Sequence, residues 1–593
     1  MSRPGRLREP GDQQTLYIVL TGLLLAVALA VGGAWVVARL TGAGPATSSF
    51  GSWVGALFSG EAAWNTMSTL VAVVILIVTA ALSGTLIVLV RAKAAGRSRV
   101  DSLARAMSKP SDMAELETPH LEREAARLGV ASVCGPGVPL GRAVATGRAL
   151  GTSWEWTQMW IMGTRAGKTT CVCVPQILAT GGSALITSNK PDIVTLTRGP
   201  RSFVGPVWVH DPQGLVQEPP TWWWSPLSYV TNLERADEMA RLFVAAVRGD
   251  LSKLNHWDSE GMELLASLLL AGALGGHTIF DVYDWLLDPD DQTAEQVLIE
   301  AGQPLAANGL RAKRQLTAKQ RDGVYGTARP FMGWVRSSTV APWVTPGQGR
   351  VEFDPTIFVA SRQTIYLLSK EGAGSAGALT AALTVAVVQA AEDRAIKQGG
   401  RLREPLLCVL DEAANVCRWP ELPALYSHYG SRGIILNTIL QTWPQGVKVW
   451  GEDGMKAMWS AANVGGFGRG QEDAKYLEDV SRLVGDRDVR THSSTHNGGA
   501  RSGRSSTASL RREKIFDVSD LRAFPTGRAL LFASGTPTIL AELVHYSELD
   551  EPEESLREPL EGCGLHGHQN VEQLLLPRDT FAGDPLVLDC VHP

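Results

Sequence analysis

Cysteine is sparse in this chain: seven among 593 residues, scattered, with no Cys-x-x-Cys pair. That pattern indicates neither a zinc site nor a disulfide framework, and the odd count suits a reducing compartment. An excess of positive charge is missing as well. The formal net charge is −5, which argues against a protein that coats nucleic acid by bulk charge while leaving room for a local basic patch. Charged residues make up 19% and hydrophobic ones 45%, a balance ordinary for a globular protein with a small membrane part.

Charge is wholly absent from two runs, Leu16 to Ala38 and Met67 to Val90. Each exceeds the roughly 20 residues that cross a ~30 Å hydrocarbon core, so both are read as transmembrane helices, 16–38 and 67–90. The first is too long for a signal-peptide core and lacks a small-residue cleavage site before the second. Arg3, Arg6 and Arg8 precede the first run, in a tail over 1–15. Arg91, Lys93, Arg97 and Arg99 follow the second, while the loop 39–66 carries only Arg39. The positive-inside rule predicts that both termini face the cytoplasm of a cell inner (plasma) membrane, with an extracytoplasmic loop between the spans.

Beyond the spans, 91–145 is charged, then punctuated by Gly and Pro at GPGVPLG, and reads as a linker. From Trp154 strands and helices alternate. Trp156 to Ile161 is a short apolar strand, and MGTRAGKTT follows at Met162 to Thr170. Thr169 to Leu178 is a helix, and Ala184 to Thr187 and Val207 to His210 are further strands. Strand, loop, helix, strand at this spacing is how a parallel sheet begins. A loop closing on Gly167, Lys168 and Thr169 wraps backbone N–H groups around phosphates, with Lys168 reaching the terminal ones and the Thr169 hydroxyl on Mg²⁺.

Between 232 and 334 the pattern turns helical. Met239, Leu242, Phe243 and Val247 recur at helical spacing, as do Met262, Leu265, Leu269 and Ala273, predicting an all-α domain inserted between 146–231 and 335–546. Short apolar runs then resume at Thr364 to Leu368, Leu406 to Leu410, Ile434 to Leu440 and Ala529 to Ala533, as buried parallel strands do. The run LLCVLDEAAN, Leu406 to Asn415, delivers Asp411 as a metal partner and Glu412 as a candidate for activating water. An acidic, irregular tail occupies 547–593.

Four stretches together resemble one family: GTRAGKTT, TSNKPD at Thr187 to Asp192, LDEAAN at Leu410 to Asn415, and SRGIILNTILQTWPQ at Ser431 to Gln445. The chain resembles the type IV secretion coupling proteins, the TraG/TraD-like conjugative DNA-transfer ATPases of the actinobacterial kind, from the two spans to about Tyr546. The resemblance implies an α/β fold with a RecA-like P-loop NTPase domain on a mostly parallel sheet, an inserted all-α domain and two N-terminal transmembrane helices. It implies a ring, hexameric, at the mouth of a secretion channel, with single-stranded, relaxase-bound DNA as cargo and ATP and Mg²⁺ as ligands. Gly163, Thr164, Arg165, Ala166, Gly167, Lys168, Thr169 and Thr170 would hold nucleotide. Thr169 and Asp411 would hold the metal, and Lys168 and Glu412 would act in hydrolysis. Gln441 falls at the family's sensing position, and Arg432 near one from which an arginine reaches a neighbour's γ-phosphate.

The chain departs from G-x-x-x-x-G-K-[ST] at one place, since Met162 stands where the first glycine belongs; Gly163 is expected to supply the tight turn one residue late. Asp211, in HDPQG, either faces nucleotide or starts a turn. Trp222, Trp223 and Trp224, framed by prolines, are read as a packed loop. From Arg487 to Lys514 seven cations (Arg487, Arg490, Arg501, Arg504, Arg511, Arg512, Lys514) stand among Ser, Thr and Gly, as a flexible loop that either tracks a phosphate backbone or is merely solvated. Two rival functions remain open on residues alone: an FtsK-like DNA or protein-exporting motor, and a nucleotide-binding membrane adaptor without turnover.

Overall fold

The computed structural model describes residues 10–41, 49–59, 66–95, 98–372, 375–496 and 504–548. Arg3, Arg6, Arg8, Arg97, Arg501 and the tail from 549 onward lie outside the described residues. The chain divides into two compact units, Met1–Ser102 and Leu103–Pro593.

In the first unit, the two apolar runs are helices, Pro10–Leu40 and Thr66–Ala95, of which Leu20–Leu40 and Thr66–Val88 are long and apolar enough to cross a membrane. They pack through small residues: Ala26, Ala30, Ala34 and Ala38 are buried, and the Ser68 hydroxyl donates to the Ala34 carbonyl at 3.3 Å. Small side chains let helix backbones approach where lipid gives no hydrophobic drive to associate. Leu23, Leu24, Leu25 and Ile77 stay exposed on the outer faces. A short helix, Phe50–Ser59, lies in the stretch expected to be only a loop, and its Trp53 is buried against Ala34 and Ala38.

The second unit is built on an 11-stranded sheet. In chain order its strands are β1 (Val138–Ala143), β2 (Ala149–Thr152), β3 (Gln158–Ile161), β4 (Ala184–Ser188), β5 (Val207–His210) and β6 (Thr364–Leu368), then β7 (Leu406–Asp411), β8 (Ile434–Leu440), β9 (Val464–Gly468), β10 (Arg528–Ala533) and β11 (Ile539–Glu542). They lie in the order β2-β1-β11-β10-β9-β3-β8-β7-β4-β6-β5. From β9 to β5 all neighbours are parallel; from β9 back to β2 all are antiparallel. The strands β3, β4, β6, β7 and β8 are buried at every position, which is why they read as unbroken apolar runs rather than alternating ones.

Residues 91–145 are not simply a linker. Met113, Leu116, Ala125, Val130 and Cys134 are buried in the core that packs on the sheet, and β1 is one of its strands. The glycine and proline that read as punctuation have another cause. The register of β1 on β2 shifts between Pro139 and Gly141, and a Cβ on Gly141 would lie 2.4 Å from the Glu542 carbonyl oxygen. A bulge tolerates proline, and a close backbone approach requires glycine.

The helical insert forms as expected between β5 and β6, starting with Leu233–Arg248 and His256–Leu274. Met239, Leu242, Phe243, Leu265 and Leu269 are fully buried, each worth about 1.5–3 kcal/mol against exposure. Val247 is not part of that core and is 44% exposed. Asn255 and Thr278 open their helices with capping boxes closed by Asp258 and Asp281, which satisfy N–H groups the helix itself leaves orphaned.

Candidate active site

Three neighbouring parallel strands, β3, β8 and β7, end at one edge of the sheet: Ile161 is opposite Leu440, and Ile439 opposite Asp411. Their three exits therefore deliver the phosphate-type loop, Gln441 and the two carboxylates to one place. Met162 prolongs β3, donating its N–H to the Leu440 carbonyl at 3.0 Å with its side chain fully buried. Gly163 donates to the Arg469 carbonyl at 2.8 Å, and a Cβ there would stand 2.6 Å from the Gly470 carbonyl oxygen. Gly163 is thus a site of close approach, not the positive-φ turn expected of it. The left-handed positions of the loop are Arg165 (φ 54°) and Gly167 (φ 91°). Thr164 and Arg165 are exposed and Ala166 is buried. Lys168–Cys173 forms a turn of π-helix before the α-helix Val174–Ala179, where a single helix was expected; Thr169 and Thr170 stand half-buried in its first turn.

Lys168, only 9% exposed, meets Glu412 with Nζ at 2.9 Å from Oε1. Gln441 Nε2 donates to the same oxygen at 2.7 Å, and Asn415 Nδ2 donates to Oε2 at 3.2 Å. Glu412 itself sits in the left-handed region (φ 55°, ψ 37°), a conformation costly for a side chain with a Cβ and concentrated at functional sites. Asp411 is buried beside it. Its Oδ2 accepts from the Ser188 hydroxyl at 3.4 Å, and its Oδ1 has no hydrogen-bond partner. Burial first and the Glu412 charge second push the Asp411 carboxyl up to about 7. A buried oxygen without a partner, beside a second carboxylate and near a hydroxyl-bearing loop, fits a hard divalent cation, which would restore its ionised form.

Four further residues, Asn189, Asn415, Glu371 and Gln471, were not singled out from the sequence. Asn189 Nδ2 and Asn415 Nδ2 both donate to Glu371 Oε1, each at 2.7 Å. Gln471 Nε2 donates to the Gln441 carbonyl at 2.7 Å. Asn189 and Asn415 stood in quoted motifs, TSNKPD and LDEAAN, so a signal existed; Glu371 and Gln471 carried none.

Arg432 is not brought to this cluster. It precedes β8, at the opposite edge of the sheet, and is ion-paired with Glu392, which also accepts from the Tyr429 hydroxyl at 2.9 Å. Asp211 takes the turn role: its two oxygens accept from Leu215 N at 2.8 Å and Val216 N at 2.7 Å. Trp222 and Trp224 are buried packing groups. Among the described residues, the cationic stretch is strand rather than loop: Asp486–His496 and Arg504–Lys514 pair as an antiparallel ribbon, in which Arg512 approaches Asp486 at 3.4 Å.

The family described as "TraM recognition site of TraD and TraG" matches residues 405–526, the stretch from β7 through the ribbon. The chain is TraG/TraD-like. Its fold is that of a solved bacterial conjugative coupling protein, TrwBdeltaN70, in an unbound form, with a TM-score of 0.53 at 16% identity over 71% of this chain and 91% of that one. The trigonal form of TrwBdeltaN70, in complex with sulphate, gives 0.51 at 15% identity over 68% and 90%. No curated protein sequence matches the chain. The TraG/TraD-like chain thus has the RecA-like fold with its inserted helical domain, and two apolar helices ahead of it that fit a membrane anchor.

Proposed function

We propose that this TraG/TraD-like chain is a membrane-anchored ATPase that couples single-stranded, relaxase-bound DNA to a type IV secretion channel and drives its transfer. The observation that carries the reading is the meeting of Lys168, Glu412 and Gln441 at the ends of three adjacent parallel strands. ATP and Mg²⁺ are the ligands. Thr169 and Asp411 would hold the metal, which would supply positive charge to neutralise the phosphates. The backbone from Gly163 to Thr170 cradles the phosphates. Arrival of a γ-phosphate offers Lys168 a stronger anion than Glu412, and releases Oε1 to orient and polarise the attacking water. Gln441, already bonded to Oε1, stays within reach of the same water and so reports occupancy to β8. The chains act as a hexameric ring. Arg432 serves a neighbour's nucleotide only if its pair with Glu392 opens. The family matched by 405–526 supports a relaxosome partner that docks on this half of the motor.

The test is ATP turnover by the purified full chain in lipid nanodiscs, with and without single-stranded DNA. Lys168→Ala is expected to abolish DNA-stimulated turnover, by ~100-fold or more, since it removes a charge clamp on the transferring phosphoryl group. Glu412→Gln is expected to retain ATP unhydrolysed, read as bound nucleotide after gel filtration. Normal hydrolysis by either variant would sink the site assignment. Tight ATP binding with no turnover by the unsubstituted chain would favour the recruiting adaptor instead.

A further inference from the structure

The turn that follows the catalytic carboxylates is tied to the helical insert. Asn415 spends both its amide N–H bonds on acids, Glu412 Oε2 at 3.2 Å and Glu371 Oε1 at 2.7 Å. Three residues on, Arg418 donates from Nε to the Ala414 carbonyl at 3.1 Å and from Nη1 to the Ala246 carbonyl at 2.8 Å. Ala246 lies in the last turn of Leu233–Arg248, the first helix of the insert. Carbonyls there have no partner within the helix, and the negative end of the helix dipole favours a cation, so Arg418 is held by that helix as firmly as by its own turn. A cleft of about 530 Å³ opens beside these contacts, lined by Phe331 and Trp334 of the insert and by Glu371, Asn415 and Arg418 of the motor. The turn itself, Ala413–Val416, is four residues long and is entered through the strained Glu412, so it has little means of absorbing a displacement.

We propose that Asn415 and Arg418 are positioning residues for hydrolysis: Asn415 sets the Glu412 carboxylate, and Arg418 ties the turn bearing both to the insert. Movement of the insert is then felt at Glu412. The inference rests on the ATPase reading above and deepens it, because it makes the insert a regulator of the same site.

The experiment uses the full chain in nanodiscs and has two readouts. Steady-state turnover of Asn415→Ala and Arg418→Gln should show kcat lowered about 10-fold or more with KM for ATP within about twofold, as expected when the support of a reacting group is lost. Amide hydrogen exchange without nucleotide should rise across Ala413–Val416 and at the end of Leu233–Arg248 in Arg418→Gln. Should that variant fail to fold, Arg418→Lys serves, since an ammonium keeps the charge but cannot span both carbonyls from one planar group. Unchanged kcat, a loss confined to KM, or exchange that rises everywhere or nowhere would overturn the proposal while leaving the ATPase reading intact. An unsubstituted chain with no turnover would overturn both.

Discussion

His210 ends β5 fully buried, its ring edge-on to Trp343 and tilted against Trp222, and its Nδ1 without a hydrogen-bond partner. Burial holds it at about 3, below its ordinary 6.5. The unfolded imidazole takes up a proton as pH falls through 6.5, while the folded one does not until about 3. Its contribution to stability is therefore complete above pH 6.5 and is lost as pH falls towards 3, by about 1.4 kcal/mol per pH unit. His210→Phe keeps the ring contacts and removes the titration. Urea denaturation at pH 7 and pH 5 should show the variant gaining about 2 kcal/mol on the parent between the two. An equal pH slope in both would mean that the folded ring protonates. At this scale the sequence was partly legible. Lys168, Asp411, Glu412 and Gln441 meet because each follows an apolar strand, a pattern that can be read in one dimension. Glu371 and Gln471 reach the cluster only through the sheet order, which no local spacing encodes.

Among the elements, strands buried on both faces, such as Ile434–Leu440, were legible as short apolar runs, although periodicity alone does not separate such runs from buried helix. β1, β2, β9 and β11 were not read as strands; β9, VGGFG, escaped because glycine normally signals a turn. Its glycines are there for its neighbours. A Cβ on Gly466 would lie 2.2 Å from Trp160 Cε3, and one on Gly468 2.8 Å from Met162 Cγ. The large side chains of β3 and its extension thus occupy the space that β9 gives up. Gly466→Ala should cost about 1–3 kcal/mol, read as a lower urea midpoint with unchanged m-value, because a methylene forced into a packed core displaces its surroundings. A neutral effect would show that Trp160 can move aside. The same packing explains Met162 in the phosphate-type loop: the position is the buried last step of a strand, not part of the turn. The ribbon Asp486–His496 and Arg504–Lys514 escaped for the opposite reason, having no apolar alternation to announce strands.

For the whole molecule, the two apolar helices and the sheet-based body belong to separate units. Leucines exposed on the outer faces of Pro10–Leu40 would be an aggregation liability in water and are at home in lipid. The full chain should remain with membranes after an alkaline carbonate wash, and a chain beginning at Leu103 should be released into the soluble fraction. Release of both would remove the anchor from the proposed function. The two apolar helices were legible because absence of charge over such length has few causes; the short helix Phe50–Ser59 between them in sequence was not.

The antiparallel wing of the sheet joins the two ends of the second unit, with Arg142 opposite Glu542 and β2 hanging on β1. During synthesis, β1 can pair with β2 early, but its other edge must wait for almost the whole remaining chain before its second partner, β11, exists. Contacts of such long sequence separation are slow to form, and an unpaired strand edge is open to wrong partners meanwhile. A nascent chain stalled before β11 would therefore be a target for chaperones and proteases with Gly163 to Thr170 already made.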